Sequence, residues 1–305
     1  MDQIDWEMLT TLFEFKNITK TSEMMRISQP AITYRLQRLE EEFGIKIVYR
    51  GRRGVVFTPQ GEYLVKYAKR MKKELKRVKE DVVNFENNIQ GVLRISASSI
   101  FSRYKLPPIL AKFSEKYPSV EFEVNSGWSA DVIDSIFKEE AHIGILRGNY
   151  KVSHEKQLLM EEDLLIVCKE PINVNELPHK SRIYYNTDTS LKKMIDDWWT
   201  ASYVEPPNIT MRVDNMETCK EMVLNGLGYA ILPNILLEDD KKLFKIPCLT
   251  KDGQHVKRQT SLIFRKEYKN NVLIKAFCDF LKGWDFRNSR LLEGNETASL
   301  FSSTK

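Results

Sequence analysis

The chain has 305 residues, 42% apolar and 29% charged, with a formal net charge of +5. This is an ordinary globular profile with room for two or three domains. No apolar run is long enough to cross a bilayer, the acidic start Met1-Asp2-Gln3-Ile4-Asp5-Trp6-Glu7 lacks the basic region of a signal peptide, and Cys168, Cys219, Cys248 and Cys278 form no CxxC pair or zinc pattern. A cytoplasmic chain with no metal is expected. The modest charge hides an asymmetry: residues 46–79 hold 12 basic and 2 acidic side chains, which points to a polyanionic partner.

In chain order, Ile4, Met8, Leu9, Leu12 and Phe13 make residues 3–15 an amphipathic helix. Asn17-Ile18-Thr19 breaks it, and Thr19 suits the cap of a short helix to about Met25. Ser28 suits the next cap, Pro30 the first turn, and Gly44 the end of a third helix running to Phe43. Ile32, Leu36, Leu39 and Phe43 share one face of it, while Pro30, Thr33, Tyr34 and Gln37 fall on another. Two short helices joined by a tight turn can put the second into a major groove, where Ser28, Gln29, Thr33 and Gln37 carry hydroxyls and amides suited to base edges. The competing reading is an ordinary three-helix bundle with a solvated face.

The next segment favours the DNA reading. Ile45 to Arg50 and Val55 to Thr58 are β-rich and flank Gly51-Arg52-Arg53-Gly54, a hairpin with a basic tip. Arg50, Arg52 and Arg53 suit phosphates or a minor groove. Thr58 and Pro59 then start a long helix. Leu64, Ala68, Met71, Leu75, Val78, Val82, Phe85 and Ile89 repeat at alternating spacings of 4 and 3. This heptad stripe, with charged residues around it, predicts a coiled-coil dimerisation surface rather than packing within one chain.

Thr19 to Glu40, with Ile27-Ser28-Gln29-Pro30-Ala31-Ile32, resembles the helix-turn-helix of LysR-type transcriptional regulators, and Ile47-Val48-Tyr49-Arg50 with Phe57-Thr58-Pro59-Gln60-Gly61 is similar to that family's wing and the start of its linker helix. Thr21-Ser22 stands where a pair of alanines is usual, and Tyr34 where a basic residue is common.

Residues 91–305 alternate β-rich runs with helical patterns. Strands are predicted at 91–96, 120–124, 141–146, 164–168, 211–213, 229–233 and 260–264, and helices at 105–116, 129–140, 190–202, 216–225 and 271–280. Such alternation implies parallel sheets and an α/β fold. The LysR resemblance extends over this region, with Gly226 to Pro233 as a characteristic stretch. It implies a two-subdomain effector domain of the periplasmic-binding-protein type. The expected division is a winged helix-turn-helix at 1–58, a linker and dimerisation helix at 59–90, and an effector domain at 91–305. Within the last, subdomain I takes about 91–162 and 265–290, and subdomain II about 163–264. His142 stands where the family commonly has an acidic residue, read here as a local hydrogen-bond change.

In open α/β sheets ligands bind beyond the C-terminal ends of strands. That rule selects Ser98 and Ser99 after the first strand, Gly127, Trp128 and Ser129 after the second, and Arg147 after the third. Asn215, Met216 and Glu217 open a later helix, and Arg258 precedes the Thr260 strand. Serines, arginines and helix N-termini favour an anion. Ser98-Ser99, Arg147-Gly148-Asn149 and Thr218 to Met222 resemble the citrate-responsive catabolite-control branch of the family, which implies a small carboxylate effector such as citrate and no bound cofactor.

The expected function is a ligand-gated regulator of transcription. Its partners are operator DNA, further copies of itself as homodimer or homotetramer, and RNA polymerase. An enzymatic α/β domain behind a winged helix is the alternative, but no Ser/His/Asp, Cys/His or P-loop spacing supports it. A transporter's solute-binding protein would share the fold but not the winged helix.

Overall fold

The computed structural model describes residues 1–51, 54–83, 89–238 and 240–291. Arg52, Arg53 and Phe85, and the side chain of Val82, lie outside the described residues. The chain divides into two compact units, Met1–Glu86 and Asn87–Lys305.

The first unit opens with α1 (Gln3–Phe15), capped reciprocally by Asp2 and Asp5 through N–H···O bonds of 2.9 and 2.8 Å. Helix α2 (Ile18–Met25) starts two residues earlier than expected. Asn17, not Thr19, is its cap and accepts from the Lys20 N–H at 3.1 Å. Ser28 and Gly44 bound α3 (Gln29–Phe43) as expected, the glycine at φ 65°. Strands β1 (Val48–Gly51) and β2 (Gly54–Phe57) form the antiparallel wing, and α4 (Pro59–Val83) follows. Thr58 opens that helix, its hydroxyl accepting from the Gly61 N–H at 2.9 Å.

One core joins these pieces: Met8, Leu9 and Leu12, then Ile32, Leu36 and Leu39, then Val55, Phe57 and Val65. Phe43, expected on the same face, is 43% exposed because the last turn of α3 runs past the core. Thr21 and Ser22 pack as the small pair they replace. Both are buried, and their hydroxyls donate back to the carbonyls of Asn17 and Thr19 at 2.7 Å. Neither hydroxyl is stranded.

The heptad stripe needs correcting. Leu64 and Ala68 belong to this core and are covered by the chain itself. The described part of α4 runs to Val83, and Ile89 packs on a core of the second unit. Met71 and Leu75 are half-buried, and Val78 is exposed.

The second unit runs β3 (Gly91–Ser98), α5 (Ser99–Tyr104), α6 (Leu106–Lys116), β4 (Val120–Gly127), α7 (Ser129–Phe137), β5 (Ile143–Arg147) and β6 (Glu155–Cys168). It continues with β7 (Arg182–Tyr185), α8 (Thr189–Ser202), β8 (Ile209–Val213), α9 (Met216–Leu224), β9 (Ala230–Pro233), β10 (Phe244–Pro247), β11 (Lys257–Phe264) and α10 (Val272–Lys282). Strand order in the main sheet is β10-β6-β11-β5-β3-β4, with β9 also on β6.

Parallel pairing holds for β3 with β4 and β5, and for β7 with β8. It fails for β6, β9, β10 and β11, which pair antiparallel. The reason is β11, which returns between β5 and β6 and runs opposite to both, so β5 and β6 point the same way without being neighbours. Strand β6, with 14 residues, is also nearly three times as long as its apolar run suggested. Its first part pairs with β11 from Asp163 back to Glu155, and Leu164–Cys168 pairs with β9 and β10. Two cores result. Leu93, Ile95, Phe113 and Phe277 belong to one, and Ile166, Ile183, Trp199 and Ile231 to the other. Strands β6 and β11 run between them, and a cleft opens where the two halves meet.

Gly61 sits where a Cβ would strike the Ile47 carbonyl oxygen. Gly61→Ala should therefore destabilise the first unit by about 1–3 kcal/mol, the usual cost of forced overpacking. Denaturant unfolding of the full chain would show the loss in the first unit's transition alone.

Candidate functional site

Two surfaces carry the residues singled out above. On α3, Ser28, Gln29, Pro30, Tyr34 and Gln37 are exposed and Thr33 is half-buried. They share the face opposite Ile32, Leu36 and Leu39, as the helical period requires. The arginines of α3 point elsewhere. Arg35 and Arg38 each donate at 2.7 Å to Asp5, which is fully buried. They clamp α3 to α1 and leave the hydroxyl and amide face open.

The wing is fastened to α3 by Glu40. Its carboxylate accepts from the Ile47 and Val48 N–H groups at 2.9 and 3.4 Å and from Lys46 at 2.9 Å. Burial works against the ionised form, but these bonds outweigh it and hold the carboxyl below its ordinary range. Arg50 is exposed on β1. Sequence reasoning missed the cross-strand pair Tyr49 and Val56, both about two-thirds exposed on the wing. The alternation of the strand carried that signal.

The second surface is the cleft of the second unit, about 190 Å³ in volume. Ser98, Ser99, Gly127, Trp128, Ser129, Arg147, Asn215, Met216 and Arg258 all line it. Glu217, in the first turn of α9 and also offered by the sequence, lines it as well, and added to these are Asn186, Thr187 and Asp188, from the loop after β7, and Asp214 just before α9. The fold explains the convergence. Strands β3, β4, β5, β7 and β8 all end here, and helices α7, α8 and α9 begin here, so their first-turn N–H groups face one space.

The sequence pattern offered two arginines as free cations. The structure pairs both. Arg147 and Glu162 form a buried ion pair, and the other Glu162 oxygen accepts from the Ile235 N–H at 2.7 Å. Arg258 pairs with Asp188 and also donates to the Arg147 carbonyl at 3.1 Å. Asp188 in turn caps α8, accepting from the Leu191 N–H at 3.0 Å. Burial pulls the Arg147 guanidinium down from its ordinary pKa, opposed by Glu162 and reinforced by the Arg258 charge. Ser129 is bound to the β5 backbone: its hydroxyl donates to the Arg147 carbonyl at 3.1 Å and accepts from the Arg147 N–H at 3.0 Å.

Several buried polar atoms of the lining residues nonetheless have no protein partner: Ser98 Oγ, Thr187 Oγ1, Arg147 Nε, and Arg258 Nε and Nη1. An unpaired buried donor costs about 1–3 kcal/mol. These atoms are suited to a ligand that supplies acceptors. Burial pushes the Cys219 and Cys278 thiols up to about 12, and among the described residues no cluster suits a metal ion. His142 is buried beside Arg94, its Nδ1 accepting from the Arg94 N–H at 3.2 Å, a local bond as expected. Among the described residues no helix is long and apolar enough to cross a membrane.

The profile of the LysR substrate binding domain matches residues 86–285, and that of the bacterial regulatory helix-turn-helix protein, lysR family, matches residues 5–62. YraN of Bacillus subtilis, an uncharacterized HTH-type transcriptional regulator, is 42% identical over 93% of this chain and 98% of its own length. YkuM of the same organism, described in the same words, is 34% identical over 90% and 94%. Among solved structures, full-length CbnR complexed with its target DNA is similar in fold. Its TM-score is 0.65 at 18% identity, over 95% of this chain and 100% of that one. Full-length BenM is similar at a TM-score of 0.53 and 20% identity, over 92% and 96%.

Breaking the dry pair at Arg147 tests its structural part. Arg147→Met leaves Glu162 buried without its cation and should cost about 3–5 kcal/mol of stability. The double variant Arg147→Met, Glu162→Met should recover most of it, read by urea unfolding.

Proposed function

The chain belongs to the LysR family of bacterial regulators, and from that premise we propose how its two surfaces divide the work. It is a LysR-type DNA-binding transcriptional regulator with a ligand-binding domain, not an enzyme. On our reading, Ser28, Gln29, Pro30, Thr33, Tyr34 and Gln37 face base edges in a major groove, and Arg50, Arg52 and Arg53 neutralise phosphates. Two copies pair through the α4 stripe beyond Ala68, namely Met71, Leu75, Val78 and Val82, and such dimers pair again as a homotetramer. RNA polymerase is the further partner of a regulator seated at a promoter.

The effector on this reading is a small carboxylate held in the cleft, citrate being the example that the sequence resemblance suggests. The observation that carries it is the set of partnerless buried donors, Ser98 Oγ, Thr187 Oγ1, Arg147 Nε, and Arg258 Nε and Nη1, gathered where three helices of nine or more residues begin. Fixed donors and helix dipoles favour negative charge there. Ligand that prefers one cleft geometry shifts the population of DNA-competent states by its differential affinity.

Two measurements test the division. Affinity for operator DNA should fall steeply with salt, and Arg50→Ala should lower the salt slope by about 1 while weakening all sequences alike. Gln29→Ala or Thr33→Ala should instead change which sequence is preferred. For the cleft, calorimetry of the full chain with citrate, malate, succinate and pyruvate should find at least one binder, and Ser98→Ala should weaken it about tenfold. No binding of any carboxylate, or full affinity in Ser98→Ala, would remove the reading.

A further inference from the structure

Arg258 is half used, and the unused half is arranged in a particular way. Its Nη2 spends both hydrogens inside the protein, one on the Arg147 carbonyl and one on Asp188. Its Nε and Nη1 are buried and have no partner. A guanidinium offers two bidentate faces, Nε with Nη2 and Nη1 with Nη2. Both include Nη2. A carboxylate entering the cleft therefore gains a forked bond to Arg258 only by taking the Nη2 hydrogen from one of its present acceptors.

The two acceptors differ in mobility. The Arg147 carbonyl is backbone of β5, held by the sheet and by the Ser129 hydroxyl. Asp188 is a side chain at the start of α8, with 13% of its side-chain surface exposed. It has other bonds to keep: the Leu191 N–H at 3.0 Å and the Tyr150 hydroxyl, which donates at 3.4 Å. Arg258 Nη2 thus ties β5 to α8. The neighbouring Ile143 and Ile145 of β5 pack in one core, and Leu191 and Ile195 of α8 pack in the other.

We propose that Asp188 is an internal stand-in for the effector's carboxylate, which replaces it on Arg258 and thereby releases α8 from β5. The proposal rests on the carboxylate reading of the cleft and adds its regulation. An arriving anion exchanges one carboxylate for another, so the guanidinium stays paired throughout. What changes is the tie between the halves of the cleft. Effector affinity and the setting of α8 are then two readings of one equilibrium, and weakening the internal pair strengthens binding.

Asp188→Asn separates these ideas, because asparagine caps a helix as well as aspartate does but brings no charge to Arg258. Asp188→Ser, also a good cap, guards against misfolding of the first variant. The probes are the sodium salts of citrate, malate, succinate and pyruvate, titrated calorimetrically into the full chain. Both variants should bind the carboxylate that the unaltered protein binds about fivefold more tightly, or better. Glu161→Gln removes one charge from β6 away from the cleft lining and should change affinity by less than about twofold. Unchanged or weakened binding in both Asp188 variants, or equal tightening in Glu161→Gln, overturns the exchange and leaves the carboxylate reading standing. Failure of every probe on every protein, with operator binding intact, removes the carboxylate reading and the exchange with it.

Discussion

A fully buried guanidinium calls for a carboxylate partner, and the second unit places its two most deeply buried arginines, among the described residues, beside one another. The Arg147 side chain is 1% exposed and so is that of Arg258. An unpaired charge at that depth costs several kcal/mol, so the surrounding chain is obliged to deliver carboxylates. Glu162 arrives on β6, directly opposite Arg258 in the β6–β11 register. It reaches Arg147 and then steadies the segment after β9 through the Ile235 N–H. Asp188 arrives from the loop after β7. The route of β6 between two cores, the antiparallel placement of β11 and the start of α8 are thereby tied to two side chains.

The first unit uses the same economy of polar bonds for a different end. Asp5 takes Arg35 and Arg38 out of the exposed face of α3, and Glu40 holds the wing against it. Both are helix-to-neighbour bonds that set orientation more than they add stability, since their partners are partly exposed. With those cations engaged, the open face of α3 presents Gln29, Thr33 and Gln37, groups that read hydrogen-bond patterns. Sequence-independent charge is left to the wing and α4. On the proposed function, reading and anchoring are separated on the surface, in keeping with the general division of protein–DNA contacts.

What was legible in the sequence follows from how local each signal is. Ser28, Gly44 and Pro59 mark element ends because caps and turns are decided within a few residues. Asn17 and Thr19 are both good caps, and only the choice of first turn separates them. The heptad stripe was legible as a period, but a period does not say what covers it. Leu64 and Ala68 repeat in register with Met71 and Leu75, yet the core that α4 shares with α1 buries the first pair. The cleft residues named from the sequence were found because strand ends and helix starts are predictable. Their acidic partners were not. Glu162 lies in the charged half of β6, which lacks apolar alternation, and Asp188 serves a helix cap, a sufficient local reason for an aspartate. Pairing across 15 and 70 residues of chain leaves no local mark.

The paired state of the cleft also changes what its charge implies. Two free arginines would make a deep anion trap, with high affinity and little discrimination. Two arginines already neutralised by Glu162 and Asp188 do not attract an anion by net charge. A ligand must repay the loss of an internal bond with geometry: a forked contact on Arg258, an acceptor for Ser98 Oγ and Arg147 Nε, and a fit at the helix starts. Affinity set by exchange is moderate, and it is sensitive to the shape of the acid rather than to its charge alone. A sensor gains from both properties, because its occupancy must follow the concentration of one metabolite among many that carry the same charge.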